Sequence, residues 1–218
     1  GITVDETDGG ASMGYLAHSV AIEEISRASA SVGLSYGAHS NLCVNQIARW
    51  GTAEQKQAYL PRLISGEHVG SLAMSEHGSG SDVVSMKLAA EKRNDRYVLN
   101  GGKMWITNAK QADFFCTLVN TSDDSPHKNK SLVLIPASTS GLKVGNKIDK
   151  LGQLTSDTAP VYFEDVRVPK RYCIGNEGEG FNIQMQQLQE ERLFLAVSVI
   201  AVLEKLSLIH ISEPTRPY

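Results

Sequence analysis

The stretch Tyr97-Val98-Leu99-Asn100-Gly101-Gly102-Lys103-Met104-Trp105-Ile106-Thr107 decides the fold class. Two apolar runs flank Asn-Gly-Gly, and Asn-Gly accepts the positive φ angles of a tight turn, so the spacing predicts a β-hairpin. Short apolar runs follow it at Phe114 to Val119, Leu132 to Ile135, Leu142 to Val144 and Pro160 to Phe163. Val166-Arg167-Val168-Pro169 reads as an edge strand closed by proline. The polar stretch Thr121 to Lys130 reads as a loop.

Upstream, the period changes to that of helices. Ile22, Ile25, Ser26 and Ser29 recur at three-to-four spacing across from Glu23, Glu24 and Arg27, and a second helical segment covers Leu34 to Arg49. Thr52-Ala53-Glu54-Gln55 is a capping box, in which a hydroxyl caps the first amides and a Gln three residues on reaches back. Pro61 should break or restart the helix that follows, and Gly66 should stop it. Downstream of Gly175-Asn176-Glu177-Gly178-Glu179-Gly180 the helical period returns, with Phe181, Met185, Leu188, Leu195, Val199 and Val202 on one face. The order predicts an α+β chain. A helical N-terminal part (1–68) precedes a central β-barrel-like domain (69–180). The first helix of a truncated C-terminal helical bundle (181–205) and an unrelated tail (206–218) follow.

Composition sets the outer limits. The chain has 218 residues, a formal charge of −3 and 41% apolar residues, an ordinary globular balance rather than a disordered one. A dedicated nucleic-acid binder would carry a basic stripe, so none is expected. No run approaches 18 consecutive apolar residues, which predicts no membrane span. Cys43, Cys116 and Cys173 are odd in number and far apart, as reduced thiols of an intracellular protein would be. The histidines show no metal spacing, and no metal is expected. The chain opens at Gly1-Ile2-Thr3 without Met, read as an internal start with any transit peptide outside it.

Three segments carry chemistry. In Leu72-Ala73-Met74-Ser75-Glu76-His77-Gly78-Ser79-Gly80-Ser81-Asp82, small residues let a ligand approach the backbone, and hydroxyls with amides suit phosphate or flavin oxygens. The same composition also suits a surface turn. Trp105 in mid-strand is either core or a flat cover for an aromatic cofactor, with Thr107 on the same face. In Gln189-Glu190-Glu191-Arg192-Leu193, Glu191 stands between Leu188 and Leu195 on the apolar stripe, whereas Glu190 points about 100° away, toward solvent. A carboxylate in such a stripe is either functional or structurally paired, because burying it unpaired is costly.

These segments, in this order, resemble the acyl-CoA dehydrogenase family of flavoenzymes. The resemblance rests on the Met74-Ser75-Glu76 loop ending Gly80-Ser81-Asp82, on Lys103 to Asn108, and on Asp149-Lys150-Leu151-Gly152. It also rests on Phe163-Glu164-Asp165-Val166 with Val168-Pro169, and on Glu191-Arg192-Leu193. Gly33 to Cys43 and Ser81 to Leu88 are most similar to its isovaleryl branch. Asp113 to Leu193 is closer to another branch, as a chimeric gene would give. Leu206 to Tyr218 matches nothing in the family, and Ser212 to Tyr218 reads as adaptor sequence.

The resemblance implies FAD as cofactor, held by Leu72, Ala73, Met74, Ser75, Gly80, Ser81, Trp105, Ile106 and Thr107. It implies Glu191 as catalytic base, with Ser81, Asn182, Gln189, Glu190 and Arg192 near an acyl-CoA substrate. The implied reaction is α,β-dehydrogenation of a short or branched acyl-CoA, with electron-transfer flavoprotein as acceptor. A homotetramer at full length and the mitochondrial matrix (the cytoplasm in a prokaryote) are implied in the same way. Departures from the family pattern are His77 for Pro, Ser79 for Ala, Gln153-Leu154 for Met-Arg, and Asn182 for a Tyr of the acyl pocket. Rival readings are a relative with another activity, such as a nitroalkane oxidase or a DNA-associated flavoprotein, and an inactive fragment.

Overall fold

Four helices lead into an eight-stranded sheet, and a long fifth helix returns to pack on the first two; the computed structural model describes residues 1–212. Helix α1 (Gly14–Ala28) buries His18, Ile22 and Ser26. Ser29 caps α2 (Ala30–His39), accepting from the Val32 amide. A π-helical turn, Ser40–Val44, then joins α2 to α3 (Asn45–Trp50). The expected single segment from Leu34 to Arg49 is therefore interrupted. A π turn adds one residue to the helical ring and re-aims the side chains beyond it.

Helix α4 (Ala53–Ser65) begins at the expected capping box, with both reciprocal bonds formed between Thr52 and Gln55. It stops at Gly66, whose φ of 82° belongs to the left-handed region. Pro61 does not break it. The ring lies on the exposed side, where the carbonyl it leaves unbonded meets water, while Leu60 and Leu63 sit fully buried on the other side. Burying two leucines is worth about 3–6 kcal/mol, which offsets the roughly 3 kcal/mol cost of an interior proline.

The sheet runs β6 (Leu142–Val144), β7 (Thr158–Pro169), β3 (Arg96–Thr107), β2 (Ala89–Arg93), β4 (Phe114–Asn120), β5 (Lys130–Pro136), β8 (Cys173–Ile174). Strand β1 (Gly70–Ala73) lies parallel on β4, and the Ser71 hydroxyl donates across to the Thr107 carbonyl of β3, curling the sheet into a barrel-like unit. Leu99, Phe115, Leu118, Val133, Ile135, Val161 and Phe163 fill its interior. A second core, built on Ile47, Leu60, Leu63, Leu132, Leu134 and Ile183, seals helices against the outer face.

The expected hairpin at Asn100-Gly101 is not there. Strand β3 runs unbroken through it with a bulge between Leu99 and Gly101, where Gly101 takes φ 144°. Asn100 instead reaches across to β7: its amide donates to Asp165 Oδ1 (3.0 Å), and its carbonyl oxygen accepts from the Asp165 amide (2.9 Å). The turn sits six residues earlier, at Asn94-Asp95 between β2 and β3, with Asn94 at φ 54°. The two strands expected at Pro160 to Phe163 and Val166 to Pro169 are one strand, β7, bent at Asp165 (φ 50°). Its first half lies between β6 and β3, while residues 166–169 pair with β3 alone and are at the edge, as expected.

Helix α5 (Gly180–Ser212) packs Ile183, Gln184, Gln187, Phe194 and Ala201 inward. The expected stripe is not the packed one: Leu195, Val199 and Val202 are exposed, because the second half of the helix is apolar nearly all round. An 18-residue window in α5 has mean hydropathy 2.0, so its length and composition would allow it to cross a membrane. Counting unbroken apolar runs missed this, since single polar residues interrupt it. A bundle-core helix carries the same signature. Leu206 to Ser212 continues α5, while the rest of the expected tail, residues 213–218, lies outside the described residues.

One ion pair fastens the loop after β1 to strand β3. The Lys103 ammonium, fully buried, donates to Glu76 Oε1 (3.0 Å) and to the Met74 carbonyl (2.8 Å). Glu76 also accepts from the amides of Lys87 and Leu88. Burial pushes the Glu76 carboxyl up, but Lys103 and the two amides outweigh it and hold it below the usual range. Burial brings the Lys103 ammonium down to about 8, against the pull of Glu76, so both remain ionised at neutral pH. Lys103→Met leaves a buried carboxylate without its counter-charge and should cost about 3–5 kcal/mol in urea unfolding; adding Glu76→Gln should return most of it. Additive losses in the double variant would show that the two side chains act independently.

Candidate functional site

Three segments far apart in the sequence line one cleft of about 130 Å3: Leu72, Met74 and Ser75 after β1, Trp105, Ile106 and Thr107 at the end of β3, and Glu191 on α5. Ala38 and Leu42 complete the lining from α2 and the π turn. Backbone pairing sets the floor. The Met104 amide donates to the Ser75 carbonyl (2.9 Å), and Lys103 holds the Met74 carbonyl, so loop and strand cannot slide past one another. Asn108, at φ 64°, ends the strand and donates to the Ser35 carbonyl of α2 (2.8 Å).

Trp105 adopts φ 60°, a conformation costly for a bulky residue and concentrated at functional sites, beside a second register shift in β3. Its ring is 50% exposed rather than core. His77 stacks over it at 6.5 Å between centroids and 27° between planes. The hydroxyls of Ser75 and Thr107 make no hydrogen bond among the described residues, and both line the cleft, whose wall is polar and apolar in about equal measure. Free donors beside an exposed flat ring suit a planar heteroaromatic group with polar edges, so the lining fits a flavin.

Glu191 is half-buried, and burial raises its carboxyl above the usual range against the lowering effect of Arg192. Its position follows from packing. Phe194, one turn on, lies over Gly37, where an added Cβ would come within 2.2 Å of the ring. That close approach brings α5 against α2, and Glu191 thereby faces Ala38 and Leu42. The small residues Gly33 and Gly37 are the signal that could have pointed to these two lining residues. Nothing in the sequence marked the π turn that presents Leu42.

The remaining candidates do not join the cleft. Ala73 points into the barrel core, and Gly80 and Ser81 lie exposed farther along the loop. Asn182, Gln189 and Arg192 are exposed outside the cleft lining. Glu190 is not free in solvent as expected: it is half-buried, pairs with Arg49 at 2.7 Å, and leaves its Oε2 buried without a partner. Helix α3 ends beside this face of α5, which supplies the cation.

The chain matches the acyl-CoA dehydrogenase N-terminal domain over residues 1–67 and the middle domain over residues 71–166. It is 50% identical over 204 residues to a mitochondrial isovaleryl-CoA dehydrogenase of Solanum tuberosum, covering 94% of this chain and 50% of the relative. The butyryl-CoA dehydrogenase structure from Megasphaera elsdenii superposes with a TM-score of 0.94 at 31% identity, over 100% of this chain and 58% of that one. An acyl-CoA dehydrogenase of Bacillus anthracis, solved in complex with FAD, superposes with a TM-score of 0.86 at 32% identity, over 92% of this chain and 34% of that one. This chain thus spans about half the length of such relatives. Two domain types matched in their usual order, with half of the aligned residues shared with a relative, settle the lineage: the chain belongs to the acyl-CoA dehydrogenase family.

Proposed function

We propose that this chain supplies the cofactor floor and the catalytic base of an FAD-dependent acyl-CoA dehydrogenase acting on a short or branched acyl-CoA. The observation that carries the reading is the single cleft shared by Glu191, the Met74-Ser75 loop and the Trp105-Ile106-Thr107 strand. FAD, when bound, supplies the hydride acceptor for the β-hydrogen. Leu72, Met74 and Ser75 would face its ring, Trp105 would pack beside it, and Thr107 would bond its edge. Gly80 and Ser81, farther along the same loop, would serve its phosphates. Electron-transfer flavoprotein is the proposed electron acceptor, and the mitochondrial matrix the proposed compartment in a eukaryote.

The chain's own residues explain the proton step. An α-proton of a thioester is weakly acidic, so its base must gain strength by leaving water. Ala38, Leu42 and Leu72 surround Glu191 with apolar surface, and its carboxyl is correspondingly raised. Taking the α-proton converts a poorly solvated carboxylate into a neutral acid, which the same surface favours. Having Glu rather than Asp at position 191 favours this chemistry over a nitroalkane oxidase-like one.

Two outcomes test the reading, in the protein carried at the full length of its relatives. Isovaleryl-CoA should bleach the flavin anaerobically, and Glu191→Gln should slow bleaching by about 10²–10⁴-fold while FAD content holds, because Gln keeps shape but cannot accept a proton. Near-normal bleaching by Glu191→Gln would place the base elsewhere. The second outcome is thermodynamic. With its carboxyl raised in the fold, Glu191 makes the folded protein less stable as pH climbs from the ordinary carboxylate value to the raised one. Glu191→Gln should therefore raise Tm at neutral pH, and the gain should fade in acid, below the unfolded carboxylate pKa. Equal Tm at pH 7 would mean that the carboxylate carries no desolvation cost.

A further inference from the structure

Helix α1 contributes no residue to the cleft lining, yet two of its residues reach both helices that do line it. The Tyr15 hydroxyl donates to the Glu190 carbonyl at 2.7 Å, across 175 residues of sequence. One turn on, His18 Nε2 lies 3.0 Å from Ser40 Oγ, the first residue of the π turn that presents Leu42. The two rings support each other, 5.3 Å between centroids, and Tyr36 of α2 flanks His18 at 5.7 Å. His18 is fully buried, with Nδ1 unpartnered, so the ring has little freedom to tilt.

Both contacts fall where the cleft is set. In a helix the Glu190 carbonyl already accepts from the amide four residues on, so the tyrosine hydroxyl occupies its second lone pair and fixes the peptide unit that carries the Glu191 amide. Hydrogen bonds from other side chains do not fix the Glu191 carboxylate: burial and the charge of Arg192 are what act on it. Its reach into the cleft therefore follows the position of its own backbone. Leu42 likewise follows the π turn that Ser40 opens. We infer that Tyr15 and His18 are positioning residues that hold Glu191 and the Leu42 wall at a fixed separation. This rests on the reading of Glu191 as the base.

The full-length, FAD-loaded protein tests it. Tyr15→Phe keeps the ring against His18 and removes only the hydroxyl. It should lower kcat about tenfold, since a misplacement of a fraction of an ångström is costly for proton transfer, while KM and flavin content stay within about twofold. Amides of residues 190–195 should exchange faster with deuterium than in the parent. His18→Leu should shift kcat in the same direction, and His18→Gln, which can still reach Ser40, should recover much of it. Unchanged kcat in Tyr15→Phe with Glu191→Gln inactive would overturn the positioning role and leave the base assignment standing. Loss of flavin in parallel with kcat would reduce Tyr15 to a packing residue and overturn the inference too. An active Glu191→Gln would remove its premise instead.

Discussion

A buried ammonium sits at the centre of this molecule's chemistry. Lys103 has its side chain wholly out of water, yet it lies on the strand that carries Trp105 to Thr107 and binds the loop that carries Met74 and Ser75. The loop has little else to hold it. It is rich in glycine and serine, its backbone is tied by an isolated bridge between Glu76 and Ser79 and by the Met104 amide on the Ser75 carbonyl, and it contributes no large apolar side chain of its own beyond Met74. A flexible loop of this kind would lose about 1–2 kcal/mol of backbone entropy per residue on ordering. The ion pair and the two amide bonds to Glu76 concentrate the compensation at one point, which leaves the remaining backbone open to a ligand. Hydrophobic burial could not do this without filling the space that the ligand needs.

The other wall follows a different principle. Helix α5 is placed by fit: Phe194 over Gly37, Ile183 into the core beneath α3 and α4. Its packed face is also strongly polar, with Gln184 and Gln187 buried and carrying amide atoms that find no partner among the described residues. Its outward face is apolar, from Leu193 through Ile211. An exposed apolar face of this extent marks a surface meant to be covered.

How far the sequence could be read depended on whether each signal was local. The Thr52–Gln55 capping box and the Gly66 stop are complete within a few residues, and both form as expected. The Asn100-Gly101 signal was equally local but misleading. Asn94-Asp95 competed for the same turn, and once that turn forms, Asn100 does better bonding to Asp165 across the sheet. Cross-strand partners are not visible from one strand. Glu190 shows the same limit, because its partner Arg49 comes from a helix 141 residues away. The place of Glu191 on α5 was legible from its own helix, although Leu195 there is exposed and the apolar neighbours it meets in the cleft, Ala38, Leu42 and Leu72, come from other elements. Ala38 and Leu42 were not, since what matters at those positions is a π turn, and propensity does not record one.

Unpartnered buried polar atoms divide the molecule in the same way. Those of His18, Ser26, Asn41, Gln46, Gln184, Gln187 and Glu190 belong to the helices, and in the barrel only Asn120 has one among the described residues. Each such atom costs about 1–3 kcal/mol relative to a satisfied one, so the helical wall is held together less economically than the barrel. The difference suits what each wall presents. A cofactor floor works by being rigid, and the barrel gives it a closed ladder and a filled interior. A base works by being poorly solvated, and Glu191 can be so only where its helix offers it no hydrogen-bond donors. Polar groups packed without partners around α1, α3 and α5 are the same condition extended to the neighbours. The environment that raises the Glu191 carboxyl is therefore one that lowers the stability of the helices carrying it.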